Sequence, residues 1–208
     1  MVDVPHGPVT PSRPFRIPAP PAVDLGLDDV AAAAGGDERA FSVLFRQLDP
    51  PLRRYATALV GQDADDVVAD AWLQIARDLH GFRGDLDGLR GWCARIVRNR
   101  AIDWVRREGR RPSSATPADQ LDRAAPDDTA TDALDNVSTR RAVELIASLP
   151  REQAEAVLLR VVVGVDTARA ADILGKSPGA VRVAAHRGLR RLARMLETAA
   201  TDDQGGAA

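Results

Sequence analysis

Two stretches of helical periodicity, separated by a segment that has none, constrain the fold of this chain most. Apolar residues recur every three or four positions between residues 28 and 107 and again between 139 and 196, as they do along the buried face of an α-helix. From Pro112 to Asp135 the sequence is rich in Pro, Ser, Ala and Asp and has no such period. The pattern therefore predicts an all-α protein with two small helical domains joined by a flexible acidic linker.

Composition supports this fold class and excludes several others. Aromatic residues make up only 4% of the chain, whereas strand-rich folds depend on aromatic and β-branched residues. Cys93 is the single cysteine, which excludes an intrachain disulfide framework and a cysteine-based zinc site. It falls on the apolar face of its helix, which favours a small buried side chain over a redox sensor. Without an apolar run of about 18 residues or a signal-peptide core, we expect a cytoplasmic protein with no membrane insertion.

The domain boundaries follow from composition and periodicity. Residues 1–26 are rich in proline and predict a disordered arm. The expected order after it is a helical domain, an acidic linker, a second helical domain and a disordered tail, at 27–111, 112–137, 138–197 and 198–208.

Several helix limits are also predicted. Pro50-Pro51 should separate one helix from the next, and Asp63 should cap a third. A long helix is expected from Leu86 to about Arg107, and the second block should begin near Thr139.

Charge is segregated along the chain. Residues 81–111 carry 9 basic and 4 acidic groups, and residues 140–197 carry 11 and 6, whereas 112–139 carry 1 and 6. Separate basic blocks in a chain with a net charge of only −2 indicate nucleic acid as a partner, together with another protein.

The second block has the pattern of a helix-turn-helix. Asp166 predicts the cap of a short helix, Gly175 predicts its end, and Ser177-Pro178 predicts the start of the next. The N-terminal turns of that second helix would enter the major groove of DNA. Its predicted core face consists of Val181, Ala185, Leu189, Leu192 and Leu196. A helical hairpin with a solvated basic face is the alternative explanation.

The first basic block lies on the long helix. Arg95, Asn99, Asp103, Arg106 and Arg110 share one side, where amide and guanidinium groups suit one strand of DNA. Before it, Phe82 to Gly88 form a glycine-flanked loop that could house an unstacked base. An ordinary turn between helices, with Trp92 and Trp104 in the core, explains the same residues without a ligand.

Three segments resemble the extracytoplasmic-function (group IV) sigma factors of bacterial RNA polymerase. The segment from Asp63 to Ala76 is similar to their region 2.2. Phe82 to Gly88, followed by Arg95 to Arg107, is similar to regions 2.3 and 2.4. The segments similar to region 4 are Leu149-Pro-Arg-Glu-Gln153, Leu158-Leu-Arg160, and Gly175 to Arg182 with His186-Arg187.

The resemblance implies a division of labour between the two domains. Region 2 (27–111) would bind core polymerase and melt and capture the minus-ten element, and region 4 (138–197) would read the minus-thirty-five element. The implied minus-ten residues are Phe82, Arg83, Gly84, Asp85, Arg95, Asn99, Asp103, Arg106, Arg107 and Arg110. The implied minus-thirty-five residues are Lys176, Ser177, Pro178, Gly179, Arg182, Val183, His186, Arg187 and Arg190. The implied contacts with core RNA polymerase are made by Asp63, Asp65, Asp66, Asp70 and Leu73.

The resemblance also implies the partners. These are the β′ clamp helices and the β flap of core RNA polymerase, promoter DNA and an anti-sigma factor. No catalytic residue, metal or cofactor is expected, because the polymerase performs the chemistry. Arg169-Ala170 departs from the family, which usually has an acidic residue and isoleucine there, and Ala69, Asp70 and Ala76 depart from region 2.2.

Two other classes of function remain for comparison. A helix-turn-helix repressor or activator that does not bind core polymerase would explain region 4 but not the ordered elements of residues 63–111. An enzyme would need a nucleophile–base pair, metal-spaced ligands or a phosphate-binding loop, and the sequence has none of these.

Overall fold

The computed structural model describes residues 25–108 and 130–205, with side chains from 25 to 108 and from 138 to 198. The predicted arm and most of the linker lie outside these residues. The α-helices run in the order α1 Leu27–Ala34, α2 Glu38–Val60, α3 Ala64–Asp78, α4 Leu86–Glu108, α5 Ala130–Ala147, α6 Arg151–Val157, α7 Thr167–Leu174 and α8 Pro178–Gly205. The all-α prediction is confirmed.

Helix α2 continues through both prolines, so the prediction of a break at Pro50-Pro51 was wrong. A proline inside a helix removes a backbone hydrogen bond and costs about 3 kcal/mol. Packing on both sides of the pair offsets this cost, because Leu48, Pro51 and Leu52 are all buried. The carboxylate of Asp49 also accepts a hydrogen bond from Trp72 Nε1 at 2.9 Å, which ties this turn of α2 to α3.

Helix α3 buries Val68, Trp72 and Ile75 of the predicted face, and Leu79, in the 3₁₀ turn that follows the helix, is also buried. Asp63 occupies the capping position, but its side chain makes no capping hydrogen bond. A 3₁₀ turn at Gly61–Asp63 leads directly into the helix instead, and this turn takes the place of the predicted side-chain cap.

Helix α4 has the predicted limits and is the main support of the first block. Leu89, Cys93, Val97 and Ala101 on its inner face are fully or almost fully buried. Burial raises the pKa of the Cys93 thiol, as expected for a structural cysteine in apolar surroundings.

The second block begins earlier than expected, since α5 starts at Ala130 rather than near Thr139. After α6, residues Leu158–Val163 form a π-helical turn. Gly164 ends this turn with φ +81°, a left-handed conformation that favours glycine. Helix α8 continues past the predicted end at Leu196 to Gly205.

The two blocks share one apolar core. Helix α2 packs against α5 and the Leu158–Val163 turn, and α4 packs against α7. Buried side chains form a continuous cluster that runs from Val30 to Val181. Within the described ranges, no helix is long and apolar enough to cross a bilayer.

Candidate nucleic-acid interface

The predicted loop from Phe82 to Gly88 is a loop only as far as Asp85, because α4 begins at Leu86. We keep the name 82–88 loop for this segment, which is held by its own backbone and by two aromatic rings. Phe82 donates its N–H to Leu79 O at 3.0 Å, and its ring lies 5.5 Å from that of Trp92. Gly84 has φ +154°, and a Cβ there would lie 3.1 Å from Phe82 Cζ. The ring of Phe82 therefore supports the loop from inside, while Arg83, Gly84 and Asp85 are exposed at its tip.

Asp85 joins this loop to α4. Its Oδ1 accepts the N–H of Gly88 at 2.6 Å, and its backbone oxygen accepts the N–H of Leu89 at 2.9 Å. The hydrogen bond from Gly88, together with the nearby Arg169, holds the pKa of the Asp85 carboxyl below its usual range. An ionised carboxylate at a helix N-terminus stabilises both the cap and the helix dipole.

The exposed side of α4 brings the predicted polar residues together. Arg95, Asn99, Asp103 and Arg106 are all exposed, each on the turn after the last. Asp103 lies 3.8 Å from Arg106, and the guanidinium of Arg107 stacks 5.7 Å from the Trp104 ring. Arg110 lies outside the described residues. We call this side of α4 the polar face.

Helix α3 presents carboxylates around an exposed leucine. Asp65, Asp66 and Asp70 are exposed, and Leu73 is 71% exposed. Asp63, at the start of the helix, is half-buried. Arg53 on α2 pairs with Asp65 and with Asp49. The residues that the resemblance assigns to core polymerase thus lie on the exposed side of α3, apart from the half-buried Asp63.

The helix-turn-helix is built from local caps. Asp166 accepts the N–H of Arg169 at 2.8 Å to start α7, and Gly175 ends it with φ +65°. Ser177 Oγ then accepts the N–H of Ala180 at 3.2 Å, which starts α8. These are the caps that the sequence predicted. They fix the angle at which α8 leaves the turn.

The predicted DNA-facing side chains of this motif all reach solvent. The exposed set is Lys176, Ser177, Pro178, Gly179, Arg182, Val183, His186, Arg187 and Arg190. Lys176 forms an ion pair with Glu152 of α6, and its hydrogen bond lowers the pKa of Glu152.

The predicted core face of α8 was wrong at one position. Leu189 is 45% exposed, whereas its neighbour Gly188 is buried. A Cβ on Gly188 would lie 2.8 Å from Val157 Cγ2 and 3.3 Å from Gln153 Cβ. The absence of a side chain lets α8 approach α6 closely and turns Leu189 toward solvent. Gly188 itself was the sequence signal for this close packing. A glycine inside a helix destabilises the helix by about 1 kcal/mol relative to alanine, so its presence in an otherwise regular helix indicates a packing constraint.

Comparison with known proteins identifies the family. Residues 44–111 match the Sigma-70 region 2 model and residues 139–192 match the Sigma-70 region 4 model. The ECF RNA polymerase sigma factor SigD of Mycobacterium tuberculosis is 33% identical over 171 residues, covering 78% of this chain and 80% of the relative. The chain belongs to the ECF RNA polymerase sigma factors. It is an alternative sigma factor that directs promoter-specific transcription initiation, and its family consists of initiation factors rather than enzymes.

Further relatives agree with this assignment. SigM of M. tuberculosis is 35% identical over 173 residues, covering 80% of this chain and 82% of its own length. Among solved structures, CnrH in complex with the cytosolic domain of CnrY has a TM-score of 0.58 at 24% identity. That similarity covers 84% of this chain and 99% of CnrH, and it supports the fold.

Proposed function

We propose that this sigma factor divides promoter recognition between the polar face of α4 and the exposed side of α8. The proposal rests on the fact that each helix buries apolar side chains on one side and exposes polar and charged side chains on the other. The apolar residues of α4 are buried, while Arg95, Asn99 and Asp103 are exposed. On α8, Val181 is buried while Arg182 and His186 are exposed.

Region 4 would hold duplex DNA at the minus-thirty-five element. The N-terminal turn of α8 directs a partial positive charge toward a phosphate. Pro178 has no N–H and Ala180 donates its own to Ser177 Oγ, so Gly179 is the residue of this turn whose N–H would reach the phosphate. Arg182 follows one turn later, where a guanidinium can bind a guanine edge through two hydrogen bonds. Arg187 and Arg190 would contact phosphates and supply affinity that depends on salt.

Region 2 would capture a base of the minus-ten element. Asn99 offers an amide that can pair with a base edge, and Arg95 and Arg106 on either side can neutralise phosphates. The tip of the 82–88 loop adds Arg83 and Asp85 next to this face. Extrusion of a base costs a few kcal/mol, which contacts of this kind must offset.

Protein partners would use other surfaces. The acidic side of α3 with the exposed Leu73 suits docking on the β′ clamp helices of core polymerase, and region 4 suits docking on the β flap. An anti-sigma factor is a further proposed partner. A solved structure supports this: the sigma factor RpoE in complex with the anti-sigma factor NepR from Bartonella quintana. RpoE is 22% identical to this chain with a TM-score of 0.55, and the similarity covers 76% of this chain and 98% of RpoE. The proposed location of all these steps is the cytoplasm.

Run-off transcription tests this function. Sigma-free core polymerase, the purified chain and a genomic fragment library should give specific transcripts. Asn99→Ala should reduce them about 10- to 100-fold, because a base contact through two hydrogen bonds contributes about 1–3 kcal/mol. Ser42→Ala, an exposed polar residue of α2, is the matched control and should leave them unchanged.

Three results would count against the proposal. Equal transcription by the Asn99 and Ser42 variants would remove Asn99 from the minus-ten contact. DNA binding without core association would favour a helix-turn-helix repressor or activator. Core association without transcripts, when each genomic fragment is supplied in excess, would contradict the proposed capture of the minus-ten element.

A further inference from the structure

The tip of the 82–88 loop is bound to region 4 through an ion pair. Arg169 of α7 directs Nη2 at both oxygens of Asp85, at 2.7 Å and 3.0 Å. The same guanidinium pairs with Asp166, the cap of α7. One arginine therefore bridges the N-terminal caps of two helices that belong to different regions.

The side chain of Arg169 packs against two glycines of α4. Gly91 is buried, and a Cβ there would lie 3.5 Å from Arg169 Cδ and 3.8 Å from Val165 Cγ1. A Cβ on Gly88 would lie 3.7 Å from Arg169 Nη2. These are ordinary van der Waals distances, so the side chain of Arg169 lies close against α4 at these two positions.

A second ion pair joins region 2 to region 4 further along α4. Arg98 donates from Nη2 and Nε to Glu155 Oε2 of α6 at 3.1 Å and 3.3 Å. The side chain of Glu155 is only 6% exposed. Charges this far from water are retained when both partners stay paired, so the second contact holds regions 2 and 4 in the same arrangement.

This arrangement is incompatible with simultaneous use of both DNA elements. Their names place them some 25 base pairs apart, which at 3.4 Å per base pair is on the order of 80 Å. A compact chain of this length has a radius of gyration of about 17 Å and cannot span that distance. Residues 109–129, between α4 and α5, can extend to about 70 Å if the regions separate. Opening must therefore precede full promoter engagement.

We propose that Arg169 and Asp85 form an intramolecular latch that holds the minus-ten loop against region 4 and keeps this sigma factor closed. The effect of this latch on promoter recognition rests on the proposed function, whereas the ion pair between Arg169 and Asp85 is a feature of the structure itself. The closed form occupies the Asp85 carboxylate and fixes regions 2 and 4 together. Arg169 replaces the acidic residue that the family pattern usually has, and a carboxylate in its place would repel Asp85.

Thiol labelling of a buried residue at the boundary can measure opening of the isolated chain. Val165 is fully buried against Gly91, so Val165→Cys should react with a thiol reagent such as DTNB only when the regions separate. The labelling rate then reports the ratio of open to closed molecules. The parent chain, in which Cys93 is buried, supplies the background rate.

Arg169→Gln in this background should raise the labelling rate about two- to fivefold, as expected for loss of a partly exposed ion pair. Glutamine at this position suits a helix whose cap is Asp166, because the third residue of a helix favours Glu or Gln. Arg140→Gln is the matched control. It removes an exposed arginine that pairs with Glu144 within α5, at 3.7 Å, and should not change the rate.

A double-mutant cycle makes the test specific to the pair. Asp85→Asn keeps an oxygen that can accept the Gly88 N–H and removes only the charge. It should raise the rate as Arg169→Gln does, and the double variant should be no faster than either single one. Unchanged rates, or two independent increases that multiply, would overturn the latch. Because this assay contains neither DNA nor polymerase, its result stands apart from the outcome of the run-off transcription test.

Discussion

The two helices proposed to contact DNA, α4 and α8, are supported in different ways. The loop and helix of region 2 are braced by side chains: Phe82 packs on Trp92, Asp85 caps α4, and Arg100 donates to Gln74 of α3 at 2.9 Å. The recognition helix of region 4, α8, is held at its start by short caps and along its length by close backbone packing at Gly188.

This difference suggests different modes of recognition. A base taken out of the duplex needs a pocket of fixed shape, which braced side chains provide. Duplex DNA needs side chains that are free to meet phosphates and base edges, which a helix held through its backbone leaves available.

The largest loss of stability should follow from breaking the buried ion pair between Arg98 of region 2 and Glu155 of region 4. Arg98 is 18% exposed and Arg151 is 73% exposed, yet both bind the same Glu155 carboxylate. Arg98→Ala should lower the free energy of unfolding by about 3 kcal/mol, because it leaves a buried carboxylate without its buried partner. Arg151→Ala should lower it by about 1 kcal/mol or less. Urea unfolding of the two variants provides the measurement, and equal losses would show that burial does not govern this cluster.

Several caps and most helix faces could be predicted because their signals are local, although the side-chain cap at Asp63 and the burial of Leu189 were not borne out. The start and end of α7 and the start of α8 are marked by neighbouring residues, namely Asp166, Gly175 and Ser177-Pro178. The apolar period of α4 predicted both the limits of that helix and its exposed side. The exposure of all nine region 4 residues follows from the same local pattern.

The differences from the sequence predictions arise from contacts between distant segments. The continuity of α2 through Pro50-Pro51 depends on packing against α3, and the orientation of α8 depends on the distance between Gly188 and Val157 of α6. The pair of Arg169 with Asp85 joins residues 84 positions apart. No local period or cap encodes such contacts, although the departure from the family pattern at Arg169 marked the position.

A somewhat smaller effect is expected from the packing of α8. Gly188→Leu should destabilise the protein by about 2–3 kcal/mol, since even a Cβ would lie 2.8 Å from Val157 Cγ2. Leu189→Ala, at the neighbouring exposed position, should change stability by no more than about 0.5 kcal/mol. Thermal unfolding followed by circular dichroism compares the two directly. A larger loss for the Leu189 variant would restore the core face that the sequence predicted.

The smallest effects should separate two arginines on the exposed side of α8. Arg182, in the first turns, should contact a base edge, so Arg182→Ala should cost about 1–3 kcal/mol at the preferred sequence and relax the preference at one position. Arg191 is also exposed but lies further along the helix, where we expect it to contact phosphates rather than base edges. Arg191→Ala should weaken binding evenly across sequences and reduce the salt slope by about one. Binding to a randomised minus-thirty-five duplex, measured at several salt concentrations, distinguishes the two. Identical specificity profiles would show that the free side chains of α8 do not divide these roles.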